Sequence, residues 1–259
     1  MAAIDLPISA ETGIVVASTA LPPSRGLTHG ARIHATMRQE TTLEIHTSGP
    51  PAVPQNLEDF IAKRRAAVVL WDLQNGLAGK AYNAEEVRQN ALRLIQAADN
   101  VGVPVFWSRH ILPPIEYTTG PFLLFLMKKQ KVDDIALLKP TMQPGMPDTD
   151  FLEGLKPAPH HIVLEKSQPS LFVDTSLDLR LKTLKVETVI FAGVATDIGI
   201  EFNARHAASC GYYPVVAADA CGAYSTDAHE RSLAFLRSWI TPVVTTSEIC
   251  DVWANHSKI

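Results

Sequence analysis

Cysteine is scarce: Cys210, Cys221 and Cys250 are the three in 259 residues. An odd, scattered set with no C-x-x-C pair frames no disulfide network and suits a reducing compartment, so the cytoplasm is the expected location. Long hydrophobic runs are missing too. The longest nearly apolar piece, residues 121–127, is far too short to cross a bilayer. Neither charge sign dominates: 23 Lys and Arg stand against 27 Asp and Glu, a net charge of −4. No basic run interleaved with aromatics appears, so nothing gathers nucleic acid or an anionic membrane. The N-terminus lacks a cationic start followed by an apolar core, and its arginines (Arg25, Arg32, Arg38) alternate with acids that transit peptides avoid. There is no G-x-x-x-x-G-K-[ST] loop and no dinucleotide fingerprint, so no nucleotide cofactor is expected.

What remains is a globular composition, 46% hydrophobic and 19% charged, in a chain long enough to bury a core. Residues 1–57 differ from the rest. They are rich in Ser, Thr, Ala and Pro, lack a sustained period, and read as an N-terminal extension or arm. Residues 42–46 are a candidate edge strand within it. Residues 58–259 form the expected folded domain.

From Leu57 the pattern becomes regular. Residues 66–71 are continuously apolar, as in a strand buried on both faces of a parallel sheet. Asn83 stands where a helix cap belongs, and Glu86 follows at capping-box spacing. Val87, Ala91, Leu94, Ile95 and Ala98 then recur at helical intervals. Further strands are predicted at 103–107, 161–164, 189–192, 214–218 and 242–244, with helices at 120–129, 177–184, 200–209 and 226–239. Residues 111–160 are otherwise irregular and rich in Pro and Met. The alternation implies a three-layer α/β/α sandwich around a central, mainly parallel sheet of five to six strands.

In such a sheet the carboxyl ends of the strands converge on one crevice. Three ends supply candidates: Asp72 after the first strand, Lys166 after the third, and the small-residue turn from Gly193 to Gly199 that leaves the fourth strand and opens a helix. Backbone N–H groups at a helix start favour negative charge. A carboxylate and an ammonium in a partly desolvated cleft can hold each other ionised or pass a proton between them. Arg109 and His110 end the second strand. They would enter the crevice as a carboxylate clamp and a polar contact, or else cap a strand end in solvent. Gln74 and Asn75 follow Asp72 and either hold its carboxyl group or close a turn. Trp71 and Trp107 read as core packing, and Cys221 as a small buried residue.

These motifs, in this order, resemble the isochorismatase-like (cysteine hydrolase) superfamily over roughly residues 64–245. The carriers are Asp72-Leu73-Gln74-Asn75, Glu165-Lys166-Ser167, and Gly193-Val194-Ala195-Thr196-Asp197-Ile198-Gly199 against the family's G-V-x-T-x-x-C turn. Ala204-Arg205-His206-Ala207-Ala208 and Asp219-Ala220-Cys221-Gly222-Ala223 follow in the expected places. The departure is Gly199, which stands where most of the family has a nucleophilic cysteine. The resemblance implies that Asp and Lys activate that thiol against an amide or imide carbon. Gly199 closes this covalent route, and Cys210, near the far end of the next helix, does not reopen it.

The isochorismatase branch also carries glycine there. Resemblance to it implies a cofactor-independent hydrolase in which Asp72, its pKa raised by burial, protonates the methylene of a vinyl ether and water attacks the resulting oxocarbenium carbon. Lys166 would orient the acid or a substrate carboxylate, and the bare Gly199 would leave space for substrate or water. Backbone N–H groups around Ala195 and Gly199, with Thr196 beside them, would contact developing negative charge. A cis peptide at Val194–Ala195 is implied as well. The Val194-Ala195-Thr196-Asp197 wording is closer to amide-cleaving members, so C–N hydrolysis by water stays open, as does a non-catalytic member that binds a small acid. Nicotinamidase relatives hold a metal through an Asp and nearby histidines. Here residues 75–80 contain no histidine and His160-His161 flank a strand, so no metal is expected. A small-molecule substrate and a homo-oligomer, dimer or tetramer, complete the expectation, with the arm and residues 111–150 as places for subunit contacts.

Overall fold

The computed structural model describes residues 53–61, 65–239 and 242–256. Nearly all of the expected N-terminal arm, including the candidate strand at 42–46, lies outside the described residues. The apolar run Ala66–Trp71 is β1, followed by β2 (Val105–His110), β3 (Ile162–Lys166), β4 (Thr188–Val194), β5 (Tyr213–Gly222) and β6 (Val243–Val244). All pairings are parallel, and the spatial order is β3-β2-β1-β4-β5-β6. The chain starts mid-sheet, builds outward to β3, then returns beside β1 to place β4. The switch point between β1 and β4 is where loops leave to opposite faces and open a crevice.

Seven helices among the described residues complete the layers: α1 (Leu57–Ile61), α2 (Ala84–Val101), α3 (Gly120–Gln130), α4 (Leu177–Thr183), α5 (Glu201–Ser209), α6 (Thr226–Trp239) and α7 (Thr246–His256). Strand side chains alternate between faces. Ala66, Val68 and Leu70 pack under α2 and α7 with Val87, Leu94, Ile249 and Trp253. Ala67, Val69 and Trp71 pack on the opposite face with Leu177, Leu181, Ala204 and Leu233 of α4, α5 and α6. Both faces are covered, which is why β1 has no polar alternation. Burying each Leu or Val there contributes about 1.5–3 kcal/mol.

Two helix starts differ from expectation. Asn83 precedes α2, but its side chain makes no cap; its Nδ2 donates to the Cys221 carbonyl at 3.1 Å, tying the helix to β5. Helix α7 was not anticipated, yet it carries a real capping box. Thr245 N donates to Glu248 Oε2 at 2.7 Å and Glu248 N donates to Thr245 Oγ1 at 3.2 Å. β5 runs on to Gly222, so Cys221 lies within the strand rather than after it. Burial pushes its thiol up to about 12, as befits a packing residue. No helix among the described residues is long and apolar enough to cross a membrane.

Candidate active site

β1 stops at Trp71, and Asp72 leaves it with φ +50°, a left-handed conformation that aspartate tolerates better than most residues. The turn sets its carboxylate against the ends of β2 and β3. Ser108 Oγ donates to Asp72 Oδ1 at 2.5 Å and accepts from Asp72 N at 2.9 Å. Lys166, the last residue of β3, donates from Nζ to Asp72 Oδ2 at 2.6 Å. Asp72 is 5% exposed and Lys166 8%, so the pair is enclosed by protein.

Lys166 has two further neighbours. Its Nζ lies 3.3 Å from His110 Nδ1 and 4.0 Å from the centre of the Trp71 ring. A carboxylate, an imidazole nitrogen and an aromatic face thus surround one ammonium. Burial presses Lys166 below the ordinary lysine range, while Asp72 pulls the other way. Burial first, then the Lys166 charge, press His110 down to about 4. His110 is therefore neutral at pH 7; with Nδ1 accepting from Lys166, its proton sits on Nε2.

The turn after β4 is the third component. Gly193 has φ +129°, and a side chain there would run into the Trp71 carbonyl, so glycine is required. The Val194–Ala195 peptide is cis, as the resemblance implied. Ala195 O accepts from Ile198 N at 3.3 Å, Gly199 N at 2.9 Å and Ile200 N at 3.1 Å. This wide π-type turn spans Thr196–Ile200, a geometry frequent at functional sites. Asn203 locks it: Nδ2 donates to Gly199 O at 2.7 Å and Pro169 O at 3.0 Å.

Gly199 corrects two expectations. Its N–H is committed to Ala195 O and is not free for a ligand. Nor is the missing side chain an open space. A Cβ at Gly199 would fall inside the Trp71 indole, overlapping Nε1 and Cε2 and lying 2.7 Å from Cδ1. The indole occupies the place a cysteine side chain would take.

These groups border a cavity of about 730 Å³ whose lining includes Trp71, Asp72, His110, Lys166, Ala195 and Gly199. Residues 111–160 supply much of its wall, from α3 and the segments that flank it. Four sequence candidates lie outside it, among them Asn75, whose Nδ2 donates to Pro147 O at 3.3 Å and closes a turn. Gln74 is fully buried; its Oε1 accepts from His110 N at 2.7 Å, and its Nε2 donates to His110 O at 3.1 Å and Thr149 O at 2.9 Å. It fastens the end of β2 instead of holding Asp72 or a substrate. Arg109 alternates to the face opposite His110 and lies 3.6 Å from Glu165, its register partner on β3. Thr196 is fully buried, its Oγ1 donating to Gly222 O at 2.8 Å and meeting His229 Nδ1 at 2.8 Å.

Sequence reasoning missed Ser108 and the role of Trp71. Ser108 had a faint signal, since it sits two residues before His110 and so shares its face. Trp71 had none beyond its position next to Asp72. Among the described residues one His/Asp group gathers, with Asp99, His160 and His161 offering donor atoms within 4.8 Å of one another. His161 Nδ1 already accepts from Trp107 Nε1 at 3.1 Å and Ala158 N at 3.0 Å. In the neutral ring its one proton is then on Nε2, facing Asp99 Oδ1 at 2.9 Å. His161 therefore turns a proton, not a lone pair, toward the other two residues.

Residues 66–248 match the family model of the isochorismatase domain. An uncharacterized isochorismatase family protein, YecD of Escherichia coli O157:H7, is 30% identical over 198 residues, 73% of this chain and 96% of that protein. A probable isochorismatase of Pseudomonas chlororaphis is 28% identical over 204 residues, covering 76% of this chain and 91% of the relative. The crystal structure of a cysteine hydrolase from Pseudomonas syringae pv. phaseolicola 1448A aligns with a TM-score of 0.67 at 22% identity, covering 81% of this chain and 99% of that one. At that identity the likeness is one of fold.

Proposed function

The chain belongs to the isochorismatase family, and we propose that it is a hydrolase of a small organic molecule in which water, not a protein side chain, is the nucleophile. One observation carries the reading. A buried Lys166–Asp72 pair 2.6 Å apart faces the cavity, while the Trp71 indole fills the space where a nucleophile at position 199 would stand. The chemistry left to such a site is proton transfer.

The pair suits it. Burial loosens the proton on Lys166, and Asp72 is the acceptor within hydrogen-bond reach. Protonated in this way, Asp72 gives the proton to the methylene carbon of a vinyl ether. Positive charge then develops on the carbon bearing the ether oxygen, next to the carboxylate just regenerated. Water adds to that carbon and its surplus proton returns to Asp72 or Lys166. The hemiketal splits into a keto acid and an alcohol. Ser108 holds the carboxylate in place, and neutral His110 offers its Nε2–H to the substrate. With the Gly199 N–H already committed, an anionic contact in the turn falls to the N–H of Ala195.

The test is turnover by the purified protein of isochorismate and of a panel of small amides, ureas and hydrazides, with and without Asp72→Asn. Release of pyruvate that falls about 10²–10⁴-fold in the variant supports the vinyl-ether route. Release of ammonia assigns the same water to C–N cleavage. Binding of a small acid with no turnover of any compound overturns the hydrolase reading.

A further inference from the structure

The cavity carries more charge than the reaction uses. Lys80, Lys129, Lys139 and Lys166 all line it, against a single carboxylate, Asp72. The wall is thus locally positive in a chain whose net charge is −4. Lys166 is matched by Asp72. Among the described residues, Lys80, Lys129 and Lys139 make no ion pair.

Two of these lysines reach the cavity from separate elements. Lys80 ends the single 3₁₀ turn Ala78–Lys80 after β1, and Lys129 lies in the last turn of α3. Both border the same cavity, and the Lys129 ammonium lies below the ordinary lysine range, first because it is partly desolvated against the aromatic wall and then because the Lys80 charge acts on it. Lys129 in turn is among the charges acting on His110, so its ammonium belongs to the same space as the candidate site. It is held over carbon, with Nζ 5.6 Å from the centre of the Tyr224 ring and 5.9 Å from that of Phe125. Phe122, Phe125, Leu126 and Lys129 recur at helical spacing on α3 and all line the cavity. One stripe of the helix is thus an apolar wall that ends in an ammonium.

Unpaired like charges bordering one apolar cavity repel, and the empty protein gains nothing from the arrangement. An anion bound there lessens the repulsion and adds charge-assisted hydrogen bonds. Apolar walls that exclude water strengthen both effects. A volume of about 730 Å³ lies within the range of pockets that enclose ligands of a ring or more, well beyond a bare inorganic ion.

We propose that Lys80 and Lys129 form an anion-binding subsite on the α3 side of the cavity, and that the substrate is an organic acid. Its apolar or aromatic body lies along Phe122, Phe125 and Leu126, and its carboxylate, sulfonate or phosphate rests between the two ammonium groups. The bond to be cut lies toward Asp72. Only that last assignment rests on the hydrolase reading; the binding chemistry stands apart from it.

The experiment uses two probes with no hydrolysable bond, 4-phenylbutyrate and the neutral 4-phenylbutan-1-ol, titrated calorimetrically into the full chain at low ionic strength. The acid is expected to bind about tenfold more tightly than the alcohol. In the K80M/K129M double variant that preference falls to near parity, while K80R/K129R retains it. Raising the ionic strength to about 1 M, where the screening length is about 3 Å, weakens it in the wild type. Both lysines are exposed, so these replacements leave the core untouched. Equal affinities in the wild type, no binding of the acid, or an undiminished preference in K80M/K129M overturns the subsite. A wild type that turns over its substrate but binds acid and alcohol equally overturns the subsite alone. A retained preference in a protein without turnover overturns the hydrolase reading alone.

Discussion

Restoring the family's cysteine is the sharpest perturbation of this site, and the structure opposes it. In Gly199→Cys the new Cβ meets the Trp71 indole, and neither partner can easily retreat. Trp71 is 2% exposed and its carbonyl is pressed against Gly193; Gly199 is held by Asn203 Nδ2 at 2.7 Å and by its own N–H on Ala195. Overpacking of this kind costs about 1–3 kcal/mol. Trp71→Leu alone empties part of the indole's place and removes the aromatic face from Lys166, at a cost of about 3 kcal/mol. In the double variant the sulfur moves into the vacated space, so the combined loss should fall short of the two single losses by about 1–2 kcal/mol. Urea denaturation of the four proteins measures this coupling. A thiol reagent provides a second readout, since the cysteine should be accessible in the double variant and the single variant should gain no amidase activity. Additivity within about 0.5 kcal/mol, or a Gly199→Cys protein as stable as wild type, refutes the claim that the indole holds the nucleophile's place.

Two further outcomes follow from the same geometry. Ser108→Ala deprives Asp72 of the hydroxyl that donates at 2.5 Å and accepts at 2.9 Å, and should lower stability by about 2–3 kcal/mol along with turnover; an unchanged urea midpoint contradicts this. His110 has a folded value of about 4 against an ordinary 6.5. The unfolded chain therefore takes up that proton first as pH falls. The stability from neutral His110 is complete above about pH 6.5 and is lost progressively toward pH 4. Between pH 7 and 5 the loss amounts to about 2 kcal/mol, and His110→Gln should remove that slope from the urea midpoint. A flat midpoint across the range in the wild type rules it out.

Much of the architecture could be read along the chain because local rules write it there. A parallel strand covered on both faces must be apolar at every position, and residues 66–71 are. Helical spacing from Val87 to Ala98 marked α2, and the strand–helix alternation led to the parallel sheet. Asp72, Lys166 and the Gly193–Gly199 turn were legible because each sits at a strand's carboxyl end, where such sheets open. Arg109 and Thr196 were not. One turned on which side of β2 faces the crevice, and the other on whether a turn residue points in or out.

The meeting of Trp71 with Gly199, 128 positions apart (199 − 71), has no counterpart in spacing or composition. The same holds for Ser108 on Asp72, Gln74 on the backbone of His110, and Lys80 and Lys129 on one cavity wall. Periodicity and strand-end position are properties of short segments, so backbone geometry and burial impose them residue by residue. Which side chain fills another's vacancy depends on the packing of elements that are remote in the chain. That pairing takes form only when the sheet closes and β1 lies beside β4.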